Sequence, residues 1–391
     1  MRLLCLTNLF PDTLQPWRGL DNVTLLHALK AEQPEADIRV LCLRPGHGYW
    51  TGKACTLQPR CGDEPLHPSY HWAPYIPKFG GLNDRLYTLA VRRALRTLPQ
   101  GWKPEALLVP WLFPDACGVH RVPEFEGIPL LAVAQGSDVH QYLDMPWRRR
   151  AIQALSQRAH IITRSEDLRQ RLLRAQSPAD QVSTVYNGVD VHTFRPGNRL
   201  EARRELGLPE KPEILLFVGN FLPVKGLDLL IQATAQLQKE RPVHLVLIGS
   251  GPLEADLRGL CQTRGLEAVT FAGRKGPAEV AHYMHAANAV CLSSLNEGVP
   301  NVLLEAFASG RALVSTDVGG ISEITAPSPG GGFLVKGREI ADYTATLRRA
   351  LENPPNETDL SHYARVRSWP HCAQTYWQRL FAMTKKVRNV R

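Results

Sequence analysis

"ILLFVGNFLPVKGLDLLIQATAQLQ", residues 214–238, carries the reading that decides the fold. Ile214–Val218 is an unbroken apolar run, as expected of a strand buried on both faces of a parallel sheet. Gly219 ends the run, a short turn follows with Pro223 and Gly226, and residues 226–238 then take up helical spacing. Strand, glycine-bearing turn and helix in that order form half of a βαβ unit.

The same unit recurs in both directions. Towards the N-terminus the strand candidates are Leu3–Leu6, Ile38–Leu43, Ala106–Val109, Leu130–Ala134, Ile161–Thr163 and Val182–Tyr186. Towards the C-terminus they are Leu245–Ile248, Val269–Phe271, Ala289–Leu292, Leu313–Ser315 and Phe333–Val335. Amphipathic segments lie between them, among them 22–32, 148–159, 277–286 and 339–351. This alternation predicts an α/β chain of two doubly wound, mostly parallel domains. The break is expected near residue 193, in "YNGVDVHTFRPGNRL", where Asn-Gly and Pro-Gly occur without periodicity. Residues 1–192 then form the first domain and 193–368 the second. The aromatic tail 369–391 must dock, and the first domain is the expected place. Residues 44–80, rich in Pro, Gly and aromatics, read as a long loop.

Composition narrows the function classes. A chain of 391 residues, 44% hydrophobic and 21% charged, is an ordinary soluble globular chain long enough for two cores. The net charge of +9 divides into +6 for residues 1–200 and +3 for the rest. That surplus is too small to signal nucleic acid but suits an anionic small molecule or an acidic membrane surface. No apolar run reaches the roughly 18 residues of a membrane span. The opening "MRLLCLTNLFPD" runs straight into Pro and Asp and reads as a first strand rather than a leader. Eight scattered cysteines fit thiols in a reducing compartment, so a cytoplasmic location is expected. Cys55, Cys61, His67 and His71 lack the tight first pair of zinc sites and read as loop residues.

The chemistry is expected beyond the carboxyl ends of the strands. Four glycine-bearing turns lie there in the second half: "FVGNFLPVKG", "LIGSGPL", "FAGRKG" and "LSSLNEGVPN". Helix N-termini at such turns offer unpaired N–H groups to an anion, most naturally a diphosphate. Lys225 adds a cation. In "NEGVPNVLLEAFASG", Asn296–Gly310, Pro300 opens a helix that is apolar on nearly every side, yet Glu305 stands inside it and Glu297 precedes it. A buried, unpaired carboxylate costs several kcal/mol, so Glu305 is expected to have a polar ligand.

This set closely resembles the retaining glycosyltransferases of family 4, which have the GT-B fold of two facing Rossmann-like domains with a cleft between them. The resemblance runs over nearly the whole chain and includes "VYNGVDVHTF", "VKGLDLLIQA", "LIGSGPL", "FAGRK", the Glu297/Glu305 pair and "VGGISEI" at 318–324. It implies a nucleoside diphosphate sugar as donor and a glycan or lipid-linked acceptor, as in bacterial surface polysaccharide synthesis. Glu305 then binds the ribose hydroxyls, Glu297 lies beside the transferred sugar, and Lys225 meets the diphosphate. Gly249, Gly298, Val299, Pro300 and Asn301 line the donor through their turns, and Arg274 borders the base. Gly19, preceded by Arg18, corresponds to the glycine loop facing the donor phosphates.

Two positions depart from the family pattern. Asn220 stands where many members have Arg, which weakens the phosphate clamp. Gln135 stands where many have His before Gly-Ser-Asp; an amide cannot titrate, so Asp138 and His140 become the candidates for proton handling. These departures favour the rival reading, a catalytically inactive relative acting as a partner subunit; the intact Glu297, Glu305 and Lys225 oppose it. A dinucleotide-dependent dehydrogenase is excluded because no Gly-x-Gly-x-x-Gly follows the first strand. No Asp-x-Asp triplet occurs either, so helix ends and Lys225 are expected to neutralise the leaving diphosphate without a metal. On a helical wheel Arg85, Arg92 and Arg96 share one face. With "WRRR" at 147–150 they point to docking on an anionic membrane at its inner, cytoplasmic face.

Overall fold

The computed structural model describes residues 1–46, 48–77 and 80–390. The chain divides into two compact units: Met1–Asn187 together with the C-terminal helix Trp369–Val390, and Gly188–Ser368.

The first unit is built on a seven-stranded parallel sheet. Its strands are β1 (Arg2–Thr7), β2 (Asp37–Pro45), β3 (Pro68–Ala73), β4 (Ala106–Val109), β5 (Leu130–Ala134), β6 (His160–Thr163) and β7 (Val182–Thr184), in the order β3-β2-β1-β4-β5-β6-β7. The second unit has six parallel strands: β8 (Glu213–Val218), β9 (Val243–Ile248), β10 (Val269–Gly273), β11 (Ala289–Leu292), β12 (Ala312–Thr316) and β13 (Gly332–Val335). They lie in the order β10-β9-β8-β11-β12-β13.

β3 corrects the loop expected over 44–80. "PSYHWA" pairs only with β2, so it is an edge strand, and only Tyr70 and Ala73 in it are buried. An edge strand needs no continuous apolar run, which is why hydropathy alone passes over it. His71 therefore lies in a strand rather than a loop. Among the described residues no three His, Cys, Asp or Glu side chains are placed to hold a metal ion.

Alternate residues of the strands feed opposite faces of the first sheet. Leu4 and Leu6 pack with Tyr87, Val91 and Ile152, whereas Leu3 and Cys5 pack with Leu25, Leu29 and the C-terminal helix. That helix buries Tyr376, Trp377 and Leu380, the leucine alone contributing about 1.5–3 kcal/mol by removal from water. Trp377 Nε1 also donates to the Leu29 carbonyl at 2.9 Å. The docking partner is the helix Leu20–Glu32, which closes the first unit's second face.

Both sheets reverse direction once, between β1 and β4 and between β8 and β11. At such a switch point adjacent loops leave for opposite faces and open a crevice at the carboxyl ends of the strands. The loops after β8 and β11 carry Lys225 and Glu297; those after β1 and β4 carry Gly19 and Asp115.

Candidate active site

In the second unit, β8 runs into a single turn, Pro223–Lys225, and then the helix Leu227–Leu237. Gly226 joins the two at φ +56°, where a Cβ would stand 2.3 Å from the Ser293 carbonyl oxygen. Only glycine permits this turn to lie so close to the loop after β11. Two bonds hold the loops together: Leu295 N–H donates to Val224 O at 2.8 Å, and Ser293 Oγ donates to Lys225 O at 3.0 Å. Lys225 Nζ consequently meets Glu297 Oε1 at 2.6 Å, and Ser294 Oγ donates to the same oxygen at 2.7 Å. The lysine side chain keeps 24% exposure and the glutamate 10%, so the pair is partly open to solvent rather than sealed inside the core.

A third loop supports Glu297 from behind. Gly319 has φ +58°, and a Cβ there would lie 1.8 Å from the Glu297 carbonyl oxygen. Gly320 N–H donates to Gly298 O at 2.9 Å. The "VGGISEI" segment is thus the backing of the Glu297–Gly298 turn. Gly249 has a similar framework reason: its Cβ would stand 1.9 Å from Gly219 O, so the first two glycine turns touch backbone to backbone. Arg274 is exposed and donates Nε to Ser250 Oγ at 2.5 Å, and Asn220 is exposed at the end of β8.

Glu305 needs a correction. The helix Asn301–Ala308 buries Val302, Leu303, Leu304, Ala306, Phe307 and Ala308, but Glu305 is half-exposed. So is Asn301, one turn earlier on the same face. The two form a polar stripe beginning at the helix N-terminus, after Pro300 and the buried Val299. Glu305 is therefore only partly enclosed and does not bear the full desolvation cost that the flanking residues suggested.

The first unit finishes its switch point differently. Gly19 has φ +66°, and a Cβ there would stand 2.3 Å from Leu9 O. That carbonyl accepts from Asn22 Nδ2 at 2.8 Å, and Asn22 Oδ1 accepts from Gln135 Nε2 at 2.7 Å. Gln135 Nε2 also donates to Pro110 O at 2.6 Å, so its amide ties the loops after β1, β4 and β5 together. Asp138 is fully enclosed and accepts the backbone N–H groups of Leu112, Gln135 and Gly136. Burial pushes its carboxyl up to about 6, partly offset by those donors. The carboxylate visibly holds the turn after β5. His140 Nε2 lies 3.6 Å from Asp167 Oδ2.

Sequence reasoning passed over a second buried acid here. Asp115 accepts from Asn8 N at 2.8 Å and from Asn8 Nδ2 at 2.9 Å, and burial raises its carboxyl to about 7. Arg18 Nε in turn donates to Asn8 O at 3.3 Å. Ser293 and Ser294, the two hydroxyls that organise Lys225 and Glu297, were also missed. Their only signal was the "SS" directly after β11, which small polar residues in any loop would match.

Residues 198–367 match the family described as glycosyl transferases group 1, and residues 23–193 match that described as glycosyltransferase family 4. Together with the switch-point geometry, this decides the family. The chain belongs to glycosyltransferase family 4. A D-inositol 3-phosphate glycosyltransferase of Gordonia bronchialis is 31% identical over 286 residues, 67% of this chain and 61% of that protein. D-inositol 3-phosphate glycosyltransferase 2 of Catenulispora acidiphila is 30% identical, over 71% of this chain and 67% of the relative. The chain thus spans 61% and 67% of the length of these two curated relatives, less than two thirds of the first. Among solved structures, Anabaena Alr3699/HepE in complex with UDP aligns with a TM-score of 0.74 at 18% identity, covering 98% of this chain and 100% of that one. The fold of this family 4 chain is GT-B.

Proposed function

We propose that this chain transfers a sugar from a nucleoside diphosphate sugar to a glycan or lipid-linked acceptor, with retention of anomeric configuration. The observation that carries the reading is the Lys225–Glu297 pair at the β8/β11 switch point, one cation and one carboxylate 2.6 Å apart and partly open to solvent. On donor binding Lys225 turns from Glu297 to the diphosphate, and its ammonium joins the amides at the start of helix 301–308 in stabilising the leaving group. Glu297, kept in place by Ser294, then faces the anomeric carbon as positive charge develops there. Glu305 accepts from the ribose hydroxyls, with Asn301 beside it on the same helical face. No metal takes part; full activity in the presence of a chelator is the expected outcome. In the first unit Asp138 is occupied by three backbone donors, so handling of the acceptor proton falls to His140.

The experiment is a thermal-shift screen with uridine, guanosine and adenosine diphosphates, followed by slow hydrolysis of the matching sugar nucleotide. Stabilisation by one diphosphate and hydrolysis of its sugar support the reading; binding without turnover supports the inactive-partner alternative. Uridine is the first base to try, because the Anabaena structure holds UDP. A phosphorylated inositol, the group in the relatives' name, belongs in the acceptor screen.

One surface feature favours an acceptor held at a membrane. Leu82, Arg85, Leu89, Arg92 and Arg96 are all exposed at helical spacing along Asn83–Ala94 and its ends, and Trp147, half-exposed, rests against Gly81. Alternating cations and apolar side chains suit an anionic interface. No helix among the described residues is long and apolar enough to cross a membrane. Salt-sensitive sedimentation with anionic liposomes, lost in an Arg85→Glu/Arg96→Glu variant, is the expected result.

A further inference from the structure

Arg338 lies outside every segment that sequence reasoning connected with the donor, in the loop after β13. Its guanidinium nevertheless reaches the heart of the Lys225–Glu297 arrangement. Nη1 donates to the Ser293 carbonyl at 2.6 Å, and Nη2 meets Asp228 Oδ1 at 3.1 Å. A Cβ on Gly226 would stand 2.5 Å from that Nη1, so the guanidinium rests on the backbone directly after Lys225.

Ser293 is the pivot. It is fully buried; its hydroxyl holds the Lys225 carbonyl, and its own carbonyl is held by Arg338. The turn carrying Lys225 and the loop carrying Glu297 are thus joined at one residue, and Arg338 fixes that residue from outside. Helix stability does not explain the placement. A cation at the start of helix Leu227–Leu237 opposes the helix dipole, and the 61% exposed Asp228 offsets this only weakly. The planar fork matters instead, because it spans a carbonyl and a carboxylate at once; a lysine ammonium has no such fixed geometry.

We infer that Arg338 is a positioning residue: by clamping the Ser293 carbonyl to the first turn of helix Leu227–Leu237, it sets the spacing of Lys225 and Glu297 for transfer. Arg338 itself does not touch the donor. The catalytic part of this inference rests on the function proposed above; the geometric part does not.

The test uses the full chain with Arg338→Ala and Arg338→Lys. Brief acetic anhydride labelling, read by mass spectrometry, reports the reactivity of the Lys225 amine against Lys103 of the first unit as an internal reference. Release of the turn loosens the Lys225–Glu297 contact, so labelling of Lys225 rises at least about threefold in Arg338→Ala and less in Arg338→Lys. With the sugar nucleotide found in the screen, kcat falls by about tenfold, within the range expected for displacement of a catalytic group by a fraction of an ångström. KM changes much less, and the melting temperature shifts by only about 2–4 °C. Arg338→Lys recovers part of kcat. Unchanged Lys225 labelling in Arg338→Ala overturns the inference, as does unchanged kcat beside a lowered melting temperature, which marks a purely structural clamp. Altered labelling in a chain that turns over no sugar nucleotide leaves the clamp standing and removes the proposed function instead.

Discussion

At the second unit's switch point, Lys225 and Glu297 keep 24% and 10% of their side-chain surface and satisfy one another across 2.6 Å. At the first unit's, Asp115 and Asp138 have no exposed surface and are satisfied by backbone amides and Asn8. The two sheets share a topology, yet one end offers charges that can change partners and the other encloses its acids as fittings of the loops. A pair that keeps some contact with solvent is easier to separate than a sealed one, since water or a ligand can take the place of either partner. A buried carboxylate stripped of its donors has no such recourse. Position at a switch point therefore marks where a ligand can lie, and only burial and partners tell which charges are available to it.

The contrast can be broken first at Glu297. Glu297→Gln is expected to lower turnover of the sugar nucleotide by about 10²–10³-fold with little change in melting temperature. A fall in stability without loss of turnover would make Glu297 a fitting like Asp138. Next comes Asp138→Ala, which leaves three backbone N–H groups without their acceptor. At about 1–3 kcal/mol for each orphaned donor, the first unit should unfold several degrees earlier in a calorimetric scan. If Asp138→Asn instead melts normally and loses turnover, the acid is catalytic. Gly319→Ala tests the support of Glu297: the added Cβ falls 1.8 Å from its carbonyl oxygen, so kcat should drop about 10²-fold with a modest loss of stability.

The smallest effect is expected in pH dependence. Burial raises Asp115 to about 7, whereas an unfolded aspartate titrates near 4. Between those values the unfolded chain has released a proton that the folded chain retains, so this group's contribution to stability falls as pH rises through that window. Melting at pH 5 and pH 8 should show wild type losing roughly 3–8 °C more than Asp115→Asn. Equal losses would mean that the Asn8 donors hold Asp115 ionised throughout.

Much of the fold was legible because its signals are short-range. The apolar runs of β1, β2, β4 to β6 and β8 to β13 stand out in hydropathy, and the glycines at 19, 226 and 319 mark turns whose φ values only glycine adopts comfortably. β3 was not legible, since an edge strand buried at Tyr70 and Ala73 alone has no continuous apolar signature. The exposure of Glu305 was misjudged for a related reason. Its neighbours in sequence are apolar, but residues 301 and 305 share a side of the helix that stays partly exposed. Asp138 and His140 both stand in the sequence as candidates; that three backbone amides converge on Asp138 is a structural duty no spacing in the sequence reveals.

From the sequence alone came the two-layered alternation of strand and helix, the four glycine turns and the residue types that a diphosphate and a ribose require. Local periodicity and backbone freedom determine these, and both are properties of a few adjacent residues. The tertiary structure decided what depends on distant partners: Lys225 meets Glu297 72 positions away, Ser293 joins them, and Arg338 reaches back to Ser293 across 45. Such contacts arise because parallel strands order themselves by packing rather than by sequence, bringing β8 beside β11 and their loops to one edge.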